Sequence, residues 1–320
     1  MGTSHPPIPV EDIIFTKEIE PNSRILNNGQ ICPIIGLGTD HLNEKENSEI
    51  VYESIKSGTR LIDTSSISEE IVGIGIKRAL TENIVKRKDL FIVAKLELNK
   101  KDNPEEAIRE SLNKLQLDYV DLYLDHWPSC INYKEKEKKK PIPVKDTWQK
   151  MENLVAQKLT KSIGVCNYTI VNLLNVLSKC EIKPAVIEVE FHPYLFQKDL
   201  IDFCKLENIA IFAYNPLTQG WLPNKKNYVN NYNILRDAQI NYLMEKYYKR
   251  VTRGQIILNW HMNLKVIPIT GTLKKERMIE NLGASKFTLS EKTMYLLCSF
   301  EEKQHRFCDG SEIFGIDIFA

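Results

Sequence analysis

Five polar residues stand at or beside the ends of short apolar runs. Asp63 closes RLID, Lys95 closes FIVAK, His126 follows VDLYLD, Asn167 follows SIGVC, and Glu188 lies within AVIEVE. A carboxylate, an amine and an imidazole hold and pass protons, and they share that work only if the fold brings them together. Taken singly, each reads as a surface or ion-paired residue. Their recurrence on successive runs is what marks a site. After Asp63 the chain continues TSSISEEIVG, without a tyrosine, cysteine or histidine to use the acid.

The elements that must position these residues are short apolar runs, each followed by a polar loop and a stretch of helical period. They fall at 34–38, 60–63, 91–95, 120–125, 162–166, 185–190, 209–214 and 265–268. Between the third and fourth, DNPEEAIRESLNKL offers Asp102 or Asn103 as N-cap, Pro104 in the first turn, and Ile108, Leu112 and Leu115 on one face. Ile170, Leu173, Leu174 and Leu177 repeat that stripe, and TRGQIILNWHMNL and LKKERMIENL flank the last run. Strands alternating with helices imply right-handed parallel crossovers. The expected fold class is α/β, a (β/α)8 barrel of one domain with enlarged loops at the C-terminal face of the strands. In such a barrel the strand C-termini converge on one mouth. An open dinucleotide-binding sheet would require a glycine-rich fingerprint after an early strand; GIG at 73–75 lacks its third glycine and follows no strand.

The chain has 320 residues, 42% of them hydrophobic, enough for a large core. A net charge of +1, from 43 basic and 42 acidic residues, gives no field for nucleic acid or an anionic membrane. Seven scattered cysteines without a CxxC pair predict reduced thiols, no metal site and a cytoplasmic protein. The N-terminus lacks the pattern of a signal peptide, and no run approaches the length of a membrane span. Residues 1–24 read as an N-terminal extension and 25–320 as the barrel. The extension and the 128–147 loop, with KEKEKKKPIP, are the places expected to meet a protein partner.

LNNGQICPIIGLGT, FIVAKL, LNKLQLDYVDLYLDHWP, SIGVCNYT, PAVIEVEFHPYL, AYNPL and VIPITGTLKKERMIENL, in this order and at this spacing, resemble the aldo-keto reductases. The similarity runs from about Ile25 to Ala320. The resemblance implies a barrel that binds extended NADP or NAD without a Rossmann domain and reduces a small aldehyde or ketone. It implies a catalytic group of Asp, Lys, His and Tyr; Asp63, Lys95 and His126 match the first three. No residue matches the tyrosine, because the segment from Asp63 to Gly73 is about two residues shorter than the family's and places Ile67 or Ser68 there.

By the same resemblance the cofactor-binding residues are Cys166, Asn167, Glu188, Tyr214, Thr270, Arg277 and Asn281. Cys166 stands for a usual serine, Glu188 for a usual glutamine, and Ile269 for a frequent basic residue. Arg277 therefore remains for a 2′-phosphate, which leaves NAD and NADP both open. Asp40 and Glu97 stand where apolar pocket walls are common. Phe314 and Phe319 in the C-terminal tail are expected to close one side of the pocket. Two readings follow: a reductase with an impaired catalytic group, with His126 as acid, or an inactive relative serving as a structural or cofactor-sensing subunit of a larger assembly.

Overall fold

The computed structural model describes residues 23–42, 44–128, 142–218, 232–314 and 317–319. All but the edges of the 1–24 extension and the 128–147 loop, and Cys130, lie outside these residues.

The chain begins with a hairpin, β1 (Ser23–Ile25) against β2 (Ile31–Pro33). The barrel strands then come in the order β3 (Gly36–Gly38), β4 (Leu61–Asp63), β5 (Phe91–Leu96), β6 (Val120–Asp125), β7 (Thr160–Cys166), β8 (Val186–Glu190), β9 (Ala210–Tyr214) and β10 (Val266–Thr270). All pair in parallel, and β10 closes the sheet by pairing with both β9 and β3. Each of the eight expected runs contains or overlaps one of these strands. The hairpin was not foreseen, because its strands are only three residues long and Ile25 and Ile31 are exposed.

The helices are α1 (Ser48–Lys56), α2 (Glu69–Thr81), α3 (Pro104–Leu115), α4 (Val144–Ala156), α5 (Ile170–Leu177), α6 (Lys198–Glu207), α7 (Ala238–Lys246), α8 (Arg253–Asn263), α9 (Lys275–Leu282), α10 (Glu291–Cys298) and α11 (Ser311–Phe314). Local chemistry sets their starts. Asn103, not Asp102, caps α3, its side chain accepting from the Glu106 N–H, with Pro104 in the first turn. Thr169 with Asn172 and Thr252 with Gln255 form capping boxes on α5 and α8. In the α5 stripe Leu173 is buried but Leu174 is exposed, so the contact face is narrower than the spacing suggested. GIG proves to be packing, not phosphate chemistry. A methyl group at Gly73 would collide with the Lys114 carbonyl of α3, and one at Gly75 with Val51 of α1. The two glycines let α2 approach both neighbours.

Strand parity divides the core. Leu61, Phe91, Val93, Leu122, Leu124, Val186, Phe212, Ile267 and Ile269 fill the barrel, with Leu26 and Cys32 joining them from the hairpin segment. Ile62, Ile92, Ala94, Tyr123 and Ile187 face the helices. Because successive side chains alternate, Asp63, Lys95 and Glu188 share the inward parity of Leu61, Val93 and Val186. They form the last inward layer before the C-terminal mouth. Among the described residues no helix is long and apolar enough to cross a membrane, and no cluster of His, Cys, Asp or Glu has the makings of a metal site.

Candidate active site

Asp63 is the last residue of β4, and pairing of Asp63 with Val93 puts Lys95 one inward step higher on β5. The Lys95 amine donates to Asp63 Oδ2 at 2.8 Å. It also lies 2.9 Å from Glu188 Oε1 on β8, across the lumen. Asp63, Lys95 and Glu188 are 5%, 7% and 1% exposed. Two buried carboxylates thus share one buried amine. Asp63 Oδ1 and Glu188 Oε2 are left without a hydrogen-bond partner. Burial first, and the charge of Glu188 second, hold the Asp63 carboxyl well above the usual carboxylate range although Lys95 pulls the other way. Burial would discharge Lys95, but Asp63 and Glu188 outweigh it and keep the amine protonated.

His126 follows β6, the strand beside that of Lys95. Its N–H donates to the Leu96 carbonyl at 3.3 Å, and Asn167 Nδ2 donates to its carbonyl at 3.1 Å. The imidazole stands at the mouth, its Nδ1 3.6 Å from Glu97 Oε2. Burial opposes ionisation of Glu97, yet His126 and the Ser66 hydroxyl hold its carboxyl below the usual range. Asp63 and Lys95 are therefore in direct contact, while the His126 imidazole lies near Glu97, its Nδ1 without a hydrogen-bond partner among the described residues. Trp127 backs the histidine, with 6.0 Å between ring centroids, and Phe314 and Phe319 pack on Trp127 at 5.4 and 6.5 Å. The tail covers this side of the mouth, as the sequence suggested.

The segment after Asp63 supplies no acid to Lys95. Ile67 is exposed. Ser68 Oγ is buried 2.8 Å from Thr39 Oγ1 and donates to the Ser65 carbonyl. Several described tyrosine hydroxyls are spoken for: Tyr168 by Asp125, Tyr194 by Asp237, Tyr214 by Asn167 and Tyr248 by Thr293.

The residues expected to hold a cofactor fall into two groups. Asn167 has a left-handed backbone, φ 61°, that turns the chain sharply at the end of β7. Its Oδ1 accepts from the Tyr214 hydroxyl at 2.8 Å, and its Nδ2 lies 3.3 Å from Cys166 Sγ. Cys166 pairs with Glu188 in the β7–β8 register. Glu188, expected as a cofactor contact, is in the structure an ion-pair partner of Lys95. The second group lies at β10 and α9: Asn281 Nδ2 donates to Thr270 Oγ1 at 3.2 Å, and Thr270 Oγ1 donates to the Gly36 carbonyl. Arg277 is exposed on the first turn of α9, and Ile269 is buried in the barrel. The Lys95–Glu188 and His126–Glu97 pairs escaped the sequence reading. The inward parity of Glu188 was the available signal; no local pattern announces Glu97.

The Aldo/keto reductase family profile matches residues 34–302. The chain is similar to glyoxal reductase of Bacillus subtilis, 39% identical over 274 residues that cover 84% of this chain and 89% of that one. It is 33% identical over 294 residues to the NADPH-dependent aldose reductase GRE3 of Saccharomyces cerevisiae, covering 84% and 90%. Its fold superposes on a Bombyx mori aldo-keto reductase in complex with NADP with a TM-score of 0.82 at 31% identity, covering 91% of this chain and 95% of that one.

Proposed function

The chain belongs to the aldo/keto reductase family, and on that premise we propose that it binds NADP or NAD and slowly reduces a small aldehyde or ketone at the C-terminal mouth of the barrel. The observation that carries this reading is the buried Asp63–Lys95 bridge with His126 on the next strand. The names of its relatives, a glyoxal reductase and an NADPH-dependent aldose reductase, support a carbonyl substrate and a nicotinamide cofactor.

The residues present fit such a cofactor. Glu188 Oε2 is a buried acceptor without a donor, and Asn167 and Tyr214 present a connected amide and ring beside it. Asn167, Glu188, Tyr214 and Cys166 would hold the nicotinamide end; Thr270, Arg277 and Asn281 would hold the adenosine end. When bound, the reduced cofactor supplies the hydride. The work left to the chain is to orient the carbonyl and deliver a proton to its oxygen. His126, partly exposed at the mouth, is the group placed for both. Lys95, engaged by two carboxylates, has no phenol to activate among its described partners. A missing general acid costs about 10²–10⁴-fold in rate, and slow turnover is expected for that reason.

The test is cofactor titration followed by turnover on the same sample. The expected result is nucleotide binding with slow aldehyde-dependent oxidation of NADPH or NADH that falls further in His126→Ala. No oxidation across a broad aldehyde panel would refute the reductase reading. Binding without turnover would instead select a cofactor-sensing subunit, the second reading, which the double engagement of Lys95 favours.

A further inference from the structure

The Asp63–Lys95–Glu188 cluster has two acids and one base, and among the described residues no second cation contacts its free oxygens. Cys166 on β7, Asp40 beyond β3 and Glu97 beyond β5 act on it directly, and behind them stand His126 beyond β6, beside Glu97, and Tyr214 on β9 and Cys308 from the tail, beside Cys166. Burial, followed by Glu188, keeps the Cys166 thiol protonated, and burial and neighbouring acids keep the Tyr214 phenol neutral. Neither adds positive charge. If both carboxylates ionise, the cluster carries an uncompensated negative charge where water does not reach. Such a charge costs several kcal/mol, and a group in that position takes up a proton instead.

Building on the reductase reading, we propose that Glu188 turns the Asp63–Lys95 bridge into a proton-carrying site that releases its proton when positive charge enters beside it. The unpartnered Oδ1 of Asp63 is the place that proton occupies. In the empty site the protonated carboxyl and the ammonium balance the remaining carboxylate. A reduced nicotinamide ring is neutral and leaves that balance intact; an oxidised ring is a cation and takes the proton's place. On release the carboxyl O–H bond breaks, its electron pair stays on the carboxylate, and the proton leaves to bulk solvent, while His126 remains the donor to the substrate oxygen. Glu188 thereby sets the charge of the Asp63–Lys95 bridge. A neutral glutamine at 188 would leave a plain one-to-one ion pair with no proton to give.

The experiment follows carboxyl protonation in the nucleotide-free protein by carbon NMR, then counts protons exchanged on nucleotide binding by calorimetry in buffers of differing ionisation enthalpy. Wild type is expected to show the Asp63 carboxyl titrating above the ordinary range, and Glu188→Gln to bring it down. NADP⁺ should bind with release of a proton and NADPH without. Affinity for NADP⁺ should fall about tenfold per pH unit below the cluster's titration, and Glu188→Gln should flatten that slope. Ordinary titration of Asp63 in wild type, or NADP⁺ binding without proton release, would overturn the proposal even if Glu188→Gln fails to fold. Failure of either nucleotide to bind would sink the reductase reading alone, and the nucleotide-free titration would still decide this one.

Discussion

Asp121 and Asp63 are both buried acids on barrel strands, one near the N-terminal end and one at the C-terminal end, and their surroundings differ completely. Asp121 Oδ1 accepts from Lys161 at 2.9 Å and Gln30 at 3.3 Å; its Oδ2 meets Arg87 at 2.8 Å and the Ile92 N–H at 3.0 Å. Gln30 belongs to the hairpin segment, and its Oε1 accepts from Ser162 at 2.5 Å, so the hairpin is tied to the barrel through paired polar groups. Asp63 has one amine, which it shares with Glu188, and an oxygen with nothing. Buried polar groups in folded proteins are nearly always paired, and exceptions need a reason. The end whose acid has all of its partners is built for stability. The under-satisfied end lies where barrels place their chemistry.

Removing Lys95 should break this contrast most severely. Lys95→Met leaves two buried carboxylates without a cation and should cost about 3–5 kcal/mol of stability. Equilibrium urea unfolding checks it, with the deficit shrinking as pH falls because both acids then take up protons. At the other end, Asp121→Asn should cost about 3 kcal/mol, since four donors lose a charged acceptor, while nucleotide affinity stays unchanged in a parallel titration. Equal damage to affinity from both substitutions would erase the division between the two ends.

A smaller, pH-dependent effect belongs to Glu190. Burial opposes its charge, but His192 at 3.0 Å and the N–H groups of Phe307 and Cys308 hold its carboxyl below the usual range. A depressed acid contributes stability above its unfolded pKa and loses it as pH falls through the folded value. The tail at 307–308 should therefore loosen on acidification, seen as faster amide exchange there before global unfolding. Uniform exchange across the tail and the barrel core would contradict this clamp. The smallest expected effect is at the start of α5, beside the site. Thr169→Ala removes a capping box and should cost about 1 kcal/mol in thermal unfolding, without altering the proton count proposed for the cluster.

Much of the scaffold was legible because its signals are local. A parallel strand buried on both faces reads as a continuous apolar run, and FIVAK and VDLYLD each became a six-residue strand. Caps such as Thr169 with Asn172 lie within one turn. The hairpin strands were illegible because three residues carry no period. Leu174 shows the opposite failure: it fits the helical stripe, yet the neighbouring packing does not reach it. In the site, adjacency on β4 and β5 made the Asp63–Lys95 pair readable, whereas Glu97 has only its contact with His126 to identify it.

Alone, the sequence determined eight strand–helix units and the delivery of an acid, an amine and an imidazole to their C-terminal ends, because period and capping act over a few residues. It also determined that residues 64–69 contain no phenol. Only closure of the barrel decided the partners. β5 and β8 are separated by two strands in the sheet, so the contact between Lys95 and Glu188 exists only where curvature brings their inward faces together across the lumen. Burial within that lumen then fixes the charge balance, since the same three side chains in water would each be solvated separately.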